Sequence, residues 1–244
     1  MRDQIATAVQ HFWTVRDRQA ANQGLKSGER DRGTRSAVTG GAQLDGFADL
    51  IAAVLKIYNV PEDCIYTKRQ PLQLPGYFRS EKKWDVLVIH EGRLLLCIEF
   101  KSQVGSFGNN QNNRAEEVVG LAHDLWTAYG KGAFAPSARP WLGFLMLLED
   151  HPTVRRPVGV EEPHFKVFPE FRGASYIGRY RILLENLVRE RLLDAACLIL
   201  SPQSRGAKVE YAEPSPELAF ATFARSMAAH ALAHFGDRLN RLHE

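Results

Sequence analysis

An α/β fold with a mixed central sheet is predicted by three features of this 244-residue chain. Two almost wholly apolar runs flank a turn, a third apolar run follows later, and amphipathic helical stripes lie between and around them. Apolar runs that ignore the alternation of a half-exposed strand belong to strands covered on both faces. The composition, 45% hydrophobic and 24% charged, is that of a soluble globular protein. A formal net charge of +3 permits a nucleic-acid partner without requiring one, since DNA binding needs a local basic surface. Three scattered cysteines, Cys64, Cys97 and Cys197, argue against a disulfide framework or a zinc site and suit a reducing cytoplasm. Residues 1–20 carry Arg2, Arg16 and Arg18 around a broken apolar pattern, so no signal peptide is expected. No run is long enough for a transmembrane span, so no membrane association is expected either.

The elements follow in order. Ile5, Val9 and Phe12 or Trp13 recur at helical spacing and predict a helix over 3–20. Residues 24–43 read as a polar loop with Lys26, Arg30, Arg32 and Arg35, either solvated or ordering on a phosphate backbone. Leu44, Phe47, Leu50, Ile51 and Leu55 stripe a second helix from about Asp45 to Tyr58, stopped at Asn59. After Pro61 the chain reads as irregular up to the strand Trp84–Ile89. A turn at His90-Glu91-Gly92 leads into a second strand, Arg93–Phe100. Gly105 to Arg114 reads as a polar loop, and a helix follows from Arg114 to Tyr129. Trp141–Leu148 is a third strand, and 151–176 is a Pro- and Gly-rich loop. Ile177 to Val188 is helical, whereas Ala195–Leu200 could extend that helix or form a strand. The last stretch is helical, with Leu218, Phe223, Met227, Ala231, Phe235 and Leu242 inward and a break at Gly236. No repeat or clean domain boundary is visible.

The chemistry becomes legible at the hairpin. A three-residue turn with Gly92 in the left-handed position pairs Ile89 with Arg93 and sets Asp85 opposite Cys97. Side chains two apart on a strand share a face, so Asp85, Glu99 and Lys101 converge while Phe100 turns into the core. Two neighbouring carboxylates repel unless a cation lies between them, and hard oxygen donors suit Mg²⁺. Lys101 could orient or deprotonate a water, and the Phe100 backbone carbonyl could add a metal ligand. The alternative is a structural ion pair at the edge of a buried strand. Asp45, then Asp49, are candidates for a third acid, although Asp45 could equally serve only the start of its helix.

Asp85 with Glu99-Phe100-Lys101 resembles the PD-(D/E)xK nuclease pattern, Trp84 standing where its proline usually does. More specifically, the chain resembles the XhoI-type type II restriction endonucleases. The blocks that carry this are Thr39-Gly40-Gly41 with Gln43 and Asp45-Gly46-Phe47, Leu74-Pro75-Gly76-Tyr77-Phe78-Arg79, and Lys82-Lys83-Trp84-Asp85. Glu99-Phe100-Lys101-Ser102-Gln103-Val104-Gly105, Asn109-Asn110, Asn112-Asn113-Arg114 and His123-Asp124-Leu125-Trp126-Thr127-Ala128 complete them. The resemblance implies a restriction-endonuclease-like core with a central mixed sheet flanked by helices. One endonuclease domain over 1–244 would have a catalytic core at about 40–150 and a helix-rich C-terminal part at about 175–244. It implies a homodimer that needs Mg²⁺ and cuts both strands of double-stranded DNA at a palindromic six-base site, CTCGAG, leaving a four-base 5′ overhang. A cognate methyltransferase would protect the same sites without a required physical complex.

A six-base site is read by Arg or Lys to guanine and Asn or Gln to adenine. That directs attention to Asn109, Asn110, Asn112, Asn113 and Arg114, with a solvated turn as the alternative. Lys68, Arg69, Arg79, Lys82 and Lys83 are expected on phosphates, which position a duplex without specifying sequence. Gln103 could orient the lysine or a metal-bound water. Glu116 and Glu117 read as residues that begin a helix, with the metal site a lesser option, and His123 as a packed histidine. A structure-selective or repair nuclease of the same fold, and a non-catalytic DNA-binding or scaffold module, are the competing functions.

Overall fold

The computed structural model describes residues 1–26, 42–68, 70–204 and 209–235. Arg30, Arg32, Arg35 and the Thr39-Gly40-Gly41 block lie outside the described residues, as do Arg69, Gly236 and Leu242. Helix α1 is Arg2–Lys26 and α2 is Asp45–Ile57. Short strands β1 (Ile65–Thr67), β2 (Gln73–Pro75) and β3 (Glu81–Lys83) precede β4 (Val86–His90) and β5 (Arg93–Gln103). Helix α3 (Phe107–Gly130), β6 (Trp141–Glu149) and the single-turn α4 (Pro152–Arg155) follow. The chain then forms α5 (Tyr176–Arg189), β7 (Ala195–Ser201) and α6 (Phe220–Phe235). No helix among the described residues is long and apolar enough to cross a membrane.

The sheet runs β1-β4-β5-β6-β7, with β2 and β3 paired separately. Pairs β1/β4 and β4/β5 are antiparallel, and β5/β6 and β6/β7 are parallel. Each parallel connection carries a helix, as a crossover requires. One face of the sheet presents Val86, Val88, Leu96, Ile98 and Phe100 to α1, α2 and α6. The other presents Leu87, Cys97, Phe144 and Leu198 to α3 and α5. Both faces are therefore covered, which is why β5 and β6 read as unbroken apolar runs. The α1 stripe is real: Ile5, Val9, Phe12 and Trp13 are all 2% exposed or less.

Two features differ from expectation and bear on the site. First, the segment after Pro61, expected to be irregular, contains β1, β2 and β3, each too short to declare a period, while Ala195–Ser201 takes the strand form of the two alternatives. Second, the Asn-rich stretch read as a loop is the start of α3. Asparagine is a mediocre helix former, but Phe107 and Gln111 are buried and extend the Val118–Leu121–Leu125 stripe toward the N-terminus. A polar residue on that stripe hid it. Glu116 and Glu117 consequently sit within the helix rather than at its start, and Glu117 pairs with Arg114.

The hairpin register is the decisive correction. The turn has two residues, with His90 paired to Arg93 and both Glu91 (φ 51°) and Gly92 (φ 73°) left-handed. That alone would move Asp85 to the wrong face. A bulge compensates: Ile89 pairs with Leu94 but Val88 with Leu96, so Leu95 is the extra residue. Leu95 and Leu96 both enter the same core cluster, and beyond the bulge Val86 pairs with Ile98. Continuing this ladder puts Asp85 opposite Glu99, not Cys97, and on the same face as Glu99 and Lys101.

Glu91 at a left-handed position costs about 1 kcal/mol or more for a residue with a Cβ. Asn-Gly suits a two-residue hairpin turn far better. Glu91→Asn is expected to raise the unfolding midpoint in urea by the equivalent of about 0.5–1 kcal/mol. An unchanged or lower midpoint would contradict the turn geometry.

Candidate active site

Beyond the bulge the two strands carry their charged groups together. Asp85 N–H donates to Ile98 O at 3.2 Å, and Phe100 N–H donates to Asp85 Oδ2 at 2.6 Å. Along a strand the N–H and C=O of one residue point the same way. The Phe100 carbonyl therefore also faces the Asp85 edge, past the last paired residues Val86 and Ile98.

Glu99 is 3% exposed and is held by two ammonium groups. Lys101 Nζ donates to Oε1 at 2.5 Å and Lys82 Nζ to Oε2 at 2.7 Å. Burial, then the charge of Glu99, push the Asp85 carboxyl up to about 6, against smaller opposing effects of the Phe100 N–H, Lys101 and Lys82. A carboxyl raised in this way is one that water and nearby cations do not fully satisfy. Asp85 lines a cavity of about 330 Å³ with Asp45, Lys68, Lys83 and Trp84. Asp45 stands at the first position of α2, and helix packing brings it to the same cavity as Asp85. Asp49 is instead paired with Lys68 at 2.5 Å.

Among the described residues no three His, Cys, Asp or Glu side chains gather as a metal cluster. A cation here would have two carboxylates and a backbone carbonyl, all hard oxygens. That set fits Mg²⁺, which keeps several waters and needs few protein ligands, and it lacks the nitrogen or sulfur that zinc prefers.

Other predicted residues fall in different places. Gln103 is buried: its amide donates to Ser106 O at 3.4 Å and Phe107 O at 3.2 Å, and its carbonyl accepts from Tyr180 Oη. It anchors the β5–α3 connection, with both ends of its amide engaged within the protein. Lys82, expected on a phosphate, is turned inward; its side chain is 13% exposed and lies 4.6 Å from the Trp84 ring centroid. Asn112 and Asn113 are exposed on α3, and Lys83 is exposed at the end of β3. Asn110 is half-buried and Arg114 is engaged with Glu117. Arg79 is 45% exposed and bonded to Asp124 at 2.8 Å. His123 is exposed and stacks on Phe78, rather than packing in the core.

Asp124 was missed by sequence reasoning except as part of a block. It is 3% exposed and accepts the N–H groups of Tyr77 and Phe78, both at 2.8 Å. Burial pushes its carboxyl up, but those two N–H groups and Arg79 more than reverse this, so it ends below the usual carboxylate range. It thereby fixes the 76–79 loop, where a Cβ on Gly76 would meet Arg79 and Asp124 atoms at 2.7 Å. An acid interrupting the Leu121–Leu125 stripe was the available signal.

Comparison with known proteins gives a consistent result. A family model described as restriction endonuclease XhoI matches residues 23–213. The chain is 47% identical over 207 residues to type II restriction enzyme BstVI of Geobacillus stearothermophilus, covering 82% of this chain and 92% of that one. It is 41% identical over 199 residues to type II restriction enzyme XhoI of Xanthomonas vasicola, covering 81% and 79%. It is 46% identical over 160 residues to type II restriction enzyme AbrI of Azospirillum brasilense, covering 65% and 71%. No solved structure matches.

Proposed function

The chain belongs to the restriction endonuclease XhoI family, and from that premise we propose that it is a type II restriction endonuclease acting through Asp85, Glu99 and Lys101. It hydrolyses both strands of double-stranded DNA at a palindromic six-base site, CTCGAG, leaving a four-base 5′ overhang. It works as a homodimer, with one endonuclease domain per chain, alongside a methyltransferase that protects the same sites. The observation that carries the reading is the meeting of the three side chains beyond the Leu95 bulge, in a chain that matches the family over residues 23–213.

Asp85, Glu99 and the Phe100 carbonyl would hold Mg²⁺, with Asp45 lining the cavity that Asp85 also lines. A bound divalent ion lowers the pKa of a water and offsets charge building on the scissile phosphate. The chain's own groups do the rest. Phe100 N–H fixes the Asp85 carboxylate, and Lys101, two residues beyond Glu99 on the same face, orients or deprotonates the attacking water. Asn112 and Asn113, exposed near the start of α3, are suited to base edges in the major groove. Asn109 and Asn110 precede them on the same helix. Lys68, Lys83 and Arg79 are suited to phosphates.

Plasmid DNA incubated with the protein and Mg²⁺ is expected to give discrete fragments whose ends map to CTCGAG with a four-base 5′ overhang. Chelation of the ion should stop cleavage, and site methylation should block it. A smear, or cutting only at ends and distortions, would favour a structure-selective nuclease. No cutting at all would favour a DNA-binding module.

A further inference from the structure

Glu99 has more cations than its place in the reaction requires. Both of its oxygens are taken, one by Lys101 and the other by Lys82, although the reading above needs the carboxylate for a divalent ion. The two lysines are not equivalent. Lys101 is fixed to the same face of β5, two residues along. Lys82 arrives from β3, which pairs with β2 in a two-stranded sheet separate from the main one. It has other partners within reach: Nζ donates to Lys83 O at 3.2 Å and lies over the Trp84 ring at 4.6 Å. An ammonium on a tryptophan face is stabilised without a carboxylate.

Resting on the site reading above, we propose that Lys82 is an exchangeable counter-cation of Glu99. It neutralises the buried carboxylate when no divalent ion is bound and withdraws to Trp84 and Lys83 O when one binds. A unit positive charge close to a divalent ion opposes binding, and its ligand oxygen is occupied. Lys82 therefore weakens cation binding in the absence of DNA while stabilising the cation-free fold. Lys82 is a positioning residue in this role, since it acts through Glu99.

The test is calorimetric titration of Mg²⁺ alone into DNA-free wild type, Lys82→Gln and Lys82→Arg, with melting curves at each cation level. Lys82→Gln should bind Mg²⁺ about tenfold more tightly or better, melt lower without the ion, and regain much of the loss when saturated. Lys82→Arg, which keeps the charge, should stay near wild-type affinity. Equal or weaker binding by a folded Lys82→Gln would overturn the proposal. So would a Lys82→Gln that stays unfolded in saturating Mg²⁺, because the ion could not then replace the lysine. Asp85→Asn separates the two levels. Undiminished Mg²⁺ uptake in Asp85→Asn defeats the site reading and this inference with it. Diminished uptake there beside unchanged affinity in Lys82→Gln defeats this inference alone.

Discussion

Asp85→Asn is expected to remove DNA cleavage and, at the same time, make the cation-free protein more stable. The loss in rate should be on the order of 10²–10³-fold at least, the scale of removing one preorganised electrostatic group. Asparagine keeps an oxygen for the Phe100 N–H, so the local fold survives, but it carries no charge for a cation. The stability gain follows from the carboxyl's position at about 6 against 3.8. The folded chain keeps the Asp85 proton over a range where the unfolded chain has lost it. Its contribution to stability is therefore full below pH 3.8 and is lost as pH rises through about 6. That shift, in which the attraction to the two lysines and the Phe100 N–H is already included, corresponds to a ceiling of about 3 kcal/mol at neutral pH. Wild type and Asp85→Asn should thus differ more in melting temperature at pH 7.5 than at pH 4, with the variant higher. A variant less stable at pH 7.5, or one that still cuts, would contradict the placement of Asp85.

This opposition between stability and function explains which parts of the site were legible in the sequence. An acid beside a strand buried on both faces is conspicuous, because nothing in a two-sided core wants it. The common face of Asp85, Glu99 and Lys101 is also legible, because two departures from the expected hairpin cancel. The turn is one residue shorter than supposed, and the Leu95 bulge adds one back. Only parity matters for which face a side chain occupies, so the face survived while the opposite residue moved from Cys97 to Glu99. No periodicity announces a bulge between leucines. The asparagines read as a loop because the α3 stripe passes through Gln111, a polar residue whose burial depends on tertiary packing. Lys82 reads as outward-facing for a related reason: β3 is three residues long, and its orientation is set by pairing with β2.

Lys101→Ala should cost about 10²–10⁴-fold in cleavage, the range for a positioned acid–base group, without weakening Mg²⁺ uptake. Its ammonium sits 2.5 Å from Glu99 Oε1, so its removal takes positive charge away from the cation site. Lost cleavage with intact cation binding could not then be assigned to a missing metal ion. Cleavage at the wild-type rate would overturn the assignment. Lys101→Arg resolves which task the lysine performs. Arginine stays protonated at every working pH and presents a planar fork rather than a compact ammonium. If Lys101 only offsets charge and orders the water, Lys101→Arg should recover much of the rate lost in Lys101→Ala. If it takes the proton, the arginine variant should stay as slow as the alanine one while holding DNA and Mg²⁺ normally. Single-turnover rates on one site-containing duplex, at saturating protein and Mg²⁺, distinguish these outcomes, because they isolate the chemical step from binding and product release.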